Sequence, residues 1–92
     1  MKAKKEDLIS FLEKTVLFPA EHHIDATEII KKKIRATRMR LNEQKTAEKI
    51  EQFFWGAMAS DHGIDSYTKI KGIGANTFED VRMEFKKLCG RS

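Results

Sequence analysis

The most concentrated chemistry in this sequence is a run of cations between Ile29 and Asn42 that contains no acidic residue. The whole chain has 18 basic and 14 acidic side chains and a net charge of +4, so the run accounts for more than the entire excess. Positive charge concentrated in so short a segment indicates a surface for an anionic partner. A solvated helix face with no ligand is the alternative interpretation. The cations of the run are Lys31, Lys32, Lys33, Arg35, Arg38 and Arg40.

Nucleic acid is the polyanion that such a run fits best, because lysine and arginine contacts to phosphates supply most of its non-specific affinity. Reading bases would require amide or guanidinium groups placed in a groove. Arg38, Arg40, Asn42 and Gln44 have suitable side chains, but nothing in the sequence places them there. The side chains expected to bind nucleic acid in this run are Lys31, Lys32, Arg35, Arg38 and Arg40.

A second candidate site is a glycine turn that begins with Lys71-Gly72 and continues as Ile73-Gly74-Ala75-Asn76-Thr77. Glycines at these positions permit positive φ and let another backbone come close. The free N–H groups at the start of the following helix, together with its dipole, favour an anion. The turn therefore predicts an anion site at the start of that helix.

This turn resembles the hairpin of the helix-hairpin-helix family and the related hairpin in the C-terminal domain of bacterial RNA polymerase α subunits. The resemblance covers only residues 66–81. It implies that Gly72 and Gly74 are the turn glycines, Ile73 a buried wedge and Thr77 the helix-opening residue. It also implies that Lys71, Gly74, Ala75 and Asn76 lie nearest a phosphate of the nucleic-acid backbone, with no reading of bases.

The chain departs from the hairpin pattern just after the turn. Phe78 stands where a small residue is common, and Glu79 and Asp80 add carboxylates at the helix end that would face the phosphate. Those carboxylates weaken anion binding, although they stabilise the helix through a favourable interaction with its dipole. A hairpin that serves only helix packing is the alternative interpretation.

Other polar clusters do not indicate catalysis or metal binding. His22 and His23 are adjacent and therefore lack the i, i+4 spacing of a helical zinc pair, and Asp61-His62 is isolated. The sequence has no nucleophile elbow and no Walker-type loop. We expect no enzyme, no metal site and no cofactor.

The periodicity of apolar residues predicts an all-α fold, a compact bundle of about five helices that ends in the helix-hairpin-helix-like unit. The first helix is predicted over residues 5–16 and stops at Phe18-Pro19, because a residue before proline avoids the helical region. Asp25 is the predicted N-cap of the second helix, with Glu28 completing a capping box, and that helix runs to about residues 41–44.

Thr46 is the predicted N-cap of a third helix, whose stripe includes Ile50, Phe53 and Phe54. A short fourth segment is predicted over residues 65–71. The fifth helix begins at residue 76 or 77, continues through Val81 and Phe85 and stops at Gly90.

Length and composition complete the prediction. Ninety-two residues form one domain, residues 1–92, in which 40% of the side chains are apolar and no apolar run approaches the length of a membrane span. The single cysteine, Cys89, and the lack of a signal-peptide pattern favour the cytoplasm. The leading hypothesis is a small cytoplasmic module that binds DNA without sequence specificity. The rival is a protein-interaction module, in one form a homodimer, that uses Trp55 and the exposed part of residues 53–58.

Overall fold

The computed structural model describes residues 3–24, 26–58 and 78–91, and within them the chain forms four helices and no strand. The all-helical prediction is confirmed. The predicted fourth segment, 65–71, and the glycine turn lie outside the described residues. The radius of gyration is 12.3 Å, which matches a compact chain of this length. No helix in the described ranges combines the length and the apolar content needed to cross a bilayer.

Helix α1 continues through Pro19, so its predicted end at Phe18-Pro19 is wrong. It comprises α-helical Lys5–Leu12, a π-helical turn at Glu13–Leu17 and α-helical Phe18–Glu21. In the π turn the N–H of Phe18 donates to the carbonyl of Glu13, five residues earlier. The shifted ladder and wider turn accommodate a proline ring that has no N–H and that clashes in a regular helix.

Helix α2 spans Glu28–Asn42 and is capped by Thr27, not by the predicted Asp25. The Thr27 hydroxyl accepts a hydrogen bond from the N–H of Ile30 at 3.2 Å. A threonine next to the first helical residue satisfies a free N–H of the first turn directly, whereas Asp25, which lies outside the described residues, stands three positions before that residue in the sequence. The predicted apolar stripe of this helix is confirmed at Ile34 and Leu41, which are fully buried.

Helix α3 comprises α-helical Ala47–Phe53 and π-helical Phe54–Met58. Its predicted cap is confirmed, since the Thr46 hydroxyl accepts from the N–H of Lys49 at 3.1 Å. Helix α4 spans Phe78–Leu88, and Gly90 ends it with a φ of 78°, a value that glycine adopts readily.

The core lies where α1 contacts α2, α3 and α4. The rings of Phe54 and Phe85 stack at its centre, with centroids 4.1 Å apart. Trp55 meets Phe54 edge-on at 4.8 Å and is half-buried. The N-terminal segment is tied to this core by a hydrogen bond from the N–H of Ala3 to the carbonyl of Leu88. Other fully buried side chains are Leu8, Leu12, Val16, Leu17, Ala20, Ile34, Leu41, Ile50 and Met58.

Candidate nucleic-acid interface

The cations of α2 lie on different sides of the helix, because its buried edge packs against the core. Arg35 and Arg38 reach carboxylates of α1 on one side. Arg40 lies on the other side, with its guanidinium 5.6 Å from the centroid of the Phe53 ring in α3. Lys31 pairs within its own helix, 3.8 Å from Glu28. The six cations therefore do not form one continuous row.

Arg38 is the most constrained of these cations. Its Nε and Nη2 donate to the two carboxylate oxygens of Glu13 at 2.6 and 3.0 Å. Its Nη2 also lies 2.7 Å from Oε1 of Glu21, and Nε of Arg35 donates to Oε2 of the same carboxylate at 3.0 Å. Two guanidinium groups and two carboxylates thus form a network with no net charge. We call these four residues, Glu13, Glu21, Arg35 and Arg38, the α1–α2 clamp.

Contacts within the clamp shift the pKa values of Glu21 and Arg38. The hydrogen bond from Arg38 is the main cause that lowers the pKa of Glu21. Partial burial of Glu21 opposes this shift, and Arg35 adds to it. The hydrogen bond to Glu13 is the main cause that raises the pKa of Arg38. Glu21 and Arg38 therefore each stay charged over a wider pH range than they would alone.

The π-helical turn of α1 explains why one arginine reaches two carboxylates. At about 100° per residue in a regular α-helix, Glu21 would point about 80° away from Glu13. A π-helical turn rotates less per residue, so it reduces this offset across the five residues from Glu13 to Leu17. Both carboxylates consequently face α2. The sequence pattern missed this pair because the helix was predicted to stop before Glu21.

Three cations project elsewhere. Lys32, Lys33 and Arg40 are exposed, and Arg35 keeps 55% of its side chain accessible despite its contact with Glu21. The sequence from Lys32 to Arg40 contains no acid, and α1 supplies its carboxylates to the Arg35 and Arg38 side of the helix. Exposed cations of α2 thus lie on its outward face and on the side that adjoins α3.

Asn42 and Gln44, whose amides could read bases, instead hydrogen-bond to the backbone at the end of α2. Nδ2 of Asn42 donates to the carbonyl of Arg38, and Nε2 of Gln44 donates to the carbonyl of Arg40, both at 2.8 Å. Both carbonyls belong to the last turns of the helix, and the Arg40 carbonyl also accepts from the N–H of Glu43. The described contacts of these amides thus stabilise the helix end.

The other predicted site residues, Lys71, Gly72, Gly74 and Asn76, lie outside the described residues. So do Ile73, Ala75 and Thr77. The phosphate contact predicted for the turn therefore stays a prediction.

Histidines and acids do not assemble a metal site in the parts of the chain that the structure describes, since no three potential ligands come together there. His22 instead lies against the Phe18 ring, with centroids 4.3 Å apart. Cys89, at the C-terminal end of α4, is buried.

Comparison with known proteins adds no family to this description: no family model, no curated protein and no solved structure matches the chain.

Proposed function

We propose that the chain binds the backbone of nucleic acid, DNA in the first instance, without sequence specificity, through the outward face of α2. The observation that supports this proposal is the exposure of Lys32, Lys33 and Arg40 in a nine-residue stretch that has no acid. Phosphates would meet these groups without displacing the carboxylates of the clamp. Arg35 would add a fourth contact from its accessible part.

The contacts of α2 determine which of its cations we expect to bind phosphate. The side chains of Lys31 and Arg38 are only 33% and 26% exposed, so their contribution to phosphate binding is secondary. Replacing Arg38 would also disturb the contact between α1 and α2, which makes it a poor probe of binding. The lysines at the outward face are the informative positions.

The glycine turn enters the proposal as a second phosphate contact. Its support comes from the sequence of residues 71–76 and from the resemblance to helix-hairpin-helix proteins. Mutating Gly74 to a bulkier residue would test this contact separately, because backbone approach to a phosphate requires the space that glycine leaves.

The proposal is tested by fluorescence anisotropy with labelled duplex and single-stranded oligonucleotides at two salt concentrations. We expect binding that weakens as salt rises, and a loss of about tenfold in affinity for the double variant Lys32→Gln/Lys33→Gln. The matched control is Lys14→Gln/Lys49→Gln, which removes the same charge from exposed positions on α1 and α3. No binding at low salt, or equal losses for both variants, would contradict the proposal.

A protein-interaction module is the second candidate function, and the exposed apolar side chains of α2 favour it. Ile29 and Met39 are 68% and 66% exposed, whereas Phe54 and Met58 in the region that the sequence pointed to are buried. Trp55 is half-buried against Phe54 and Phe85. Light scattering over a range of concentrations tests the homodimer form of this candidate.

A further inference from the structure

The outward face of α2 has an apolar stripe as well as cations. At 100° per residue, Ile29, Ala36 and Met39 lie within about 80° of arc, on the side opposite to the buried Ile34 and Leu41. All three stripe residues are exposed. Their spacings of seven and three residues are those of a heptad seam. The core formed by the described residues does not include this stripe, so these exposed side chains can pack against a partner.

Positive charge flanks the stripe on both sides. Lys33 and Arg40 lie along the border toward α3, Arg35 lies along the border toward α1, and Lys32 lies within the stripe itself. The acids of this face lie at its ends: Glu28 is in the first turn and Glu43 is the C-cap residue. A partner must therefore offer apolar side chains in the middle and negative charge along its edges.

We propose that this face docks an amphipathic helix with acidic flanks, supplied by a different protein. An apolar seam bordered by carboxylates would complement both features of α2 at once, in the way that flanking charges set partner choice in coiled coils. The small side chain of Ala36 lets such a helix approach closely at the centre of the seam. The stretch from Ile29 to Arg40 is about 18 Å long, which is enough for roughly two heptads of a partner.

The same charges argue against a second copy of this chain as the occupant. Two α2 helices laid seam to seam would bring the lysines and arginines of one copy against those of the other. Like charges at flanking positions disfavour pairing. An acidic helix has no such penalty, so charge complementarity selects it over the homodimer.

Docking at this face goes beyond nucleic-acid binding, because it depends on apolar side chains that a phosphate backbone does not need. The two ligands would nevertheless use the same cations. An acidic helix bound to α2 would therefore exclude nucleic acid, and each would compete with the other.

The test uses two designed three-heptad helices and the full chain. Both peptides have leucine at the a and d positions; one has glutamate at e and g, and the other has lysine there. Titration calorimetry is expected to show binding of the acidic peptide at least about tenfold tighter than that of the basic one. Binding of neither peptide, or equal binding of both, overturns the proposal.

Variants separate this proposal from nucleic-acid binding. Ile29→Ser/Met39→Ser should weaken the acidic peptide about tenfold and leave oligonucleotide affinity within about twofold. Met83→Ser is the matched control, since Met83 is 53% exposed on α4 and should affect neither ligand. Circular dichroism establishes that each variant is folded. If the double variant binds the acidic peptide like the wild type, the apolar seam is not the docking site, whatever the oligonucleotide data show.

Discussion

Arg38 and Glu13 are joined by two hydrogen bonds, of 2.6 and 3.0 Å, that link the middle of α2 to the π-helical turn of α1. Glu21 adds a second carboxylate to the same guanidinium at 2.7 Å. A planar guanidinium satisfies this arrangement, whereas a single ammonium group cannot make two parallel bonds. Arg38, which contacts two carboxylates of α1, thus stabilises the fold.

Replacing Arg38 with lysine should therefore destabilise the protein. We expect the free energy of unfolding in urea to fall by about 1 kcal/mol, because the two-pronged contact with Glu13 is lost in a partly buried site. Arg35→Lys is the control. Its contact is single and more exposed, so its effect should stay within about 0.5 kcal/mol. Equal effects for the two variants would mean that the geometry of the clamp does not matter.

The lowered pKa of Glu21 predicts how stability depends on pH. A carboxylate whose pKa is lower in the folded state contributes stability above its unfolded value, and this contribution is lost as pH falls through the folded value. The ordinary value is 4.5, so the contribution of Glu21 should be complete at pH 6 and decline below about pH 4.5. Urea midpoints measured from pH 6 to pH 3 check this. Glu21→Gln should show a shallower decline than the wild type, and parallel curves would contradict the assignment.

Glu21 also restrains Arg35, so its removal should affect polyanion binding. On the proposed function, Glu21→Gln should raise oligonucleotide affinity several-fold, because the exposed guanidinium of Arg35 loses its carboxylate partner. The control Glu51→Gln removes a carboxylate that pairs with Arg91, away from α2, and changes net charge equally. The gain should vanish when Arg35→Gln is added. A gain of the same size in Glu51→Gln would indicate only a general charge effect.

How far the sequence predicts this fold can be argued from single residues. The burial of Ile34 and Leu41 and the cap at Thr46 follow from helical periodicity and from local capping chemistry, which neighbouring residues determine. The continuation of α1 through Pro19 does not, because it depends on a π turn whose cost is offset by core contacts of Val16, Leu17 and Ala20.

The candidate site shows the same division. The sequence predicts that the cations of the basic run lie on one helix. Their partners could not, because Glu13 and Glu21 are 25 and 17 residues away from Arg38 in the chain and reach it only through tertiary packing. Sequence reasoning therefore identified the charge and missed its partial neutralisation.

The stacked rings at the centre of the core give a separate test of the fold. Phe54→Ala should lower the free energy of unfolding by about 3 to 5 kcal/mol, because Phe54 is fully buried and stacks on Phe85. If that variant does not fold, Phe54→Leu should still fold with a loss of about 1 kcal/mol. Phe53→Ala, at a half-buried position, should cost clearly less than Phe54→Ala. The reverse order of Phe53 and Phe54 in thermal or urea unfolding would contradict the packing.

The slope of log affinity against log salt concentration for duplex DNA tests most directly whether α2 binds nucleic acid. With three to four phosphate contacts, the wild type should give a slope of about −3. Lys32→Gln/Lys33→Gln should flatten it by about 2, and Lys14→Gln/Lys49→Gln should leave it unchanged. A wild-type slope near zero, or the same slope in both double variants, would show that the outward face of α2 is not a nucleic-acid surface.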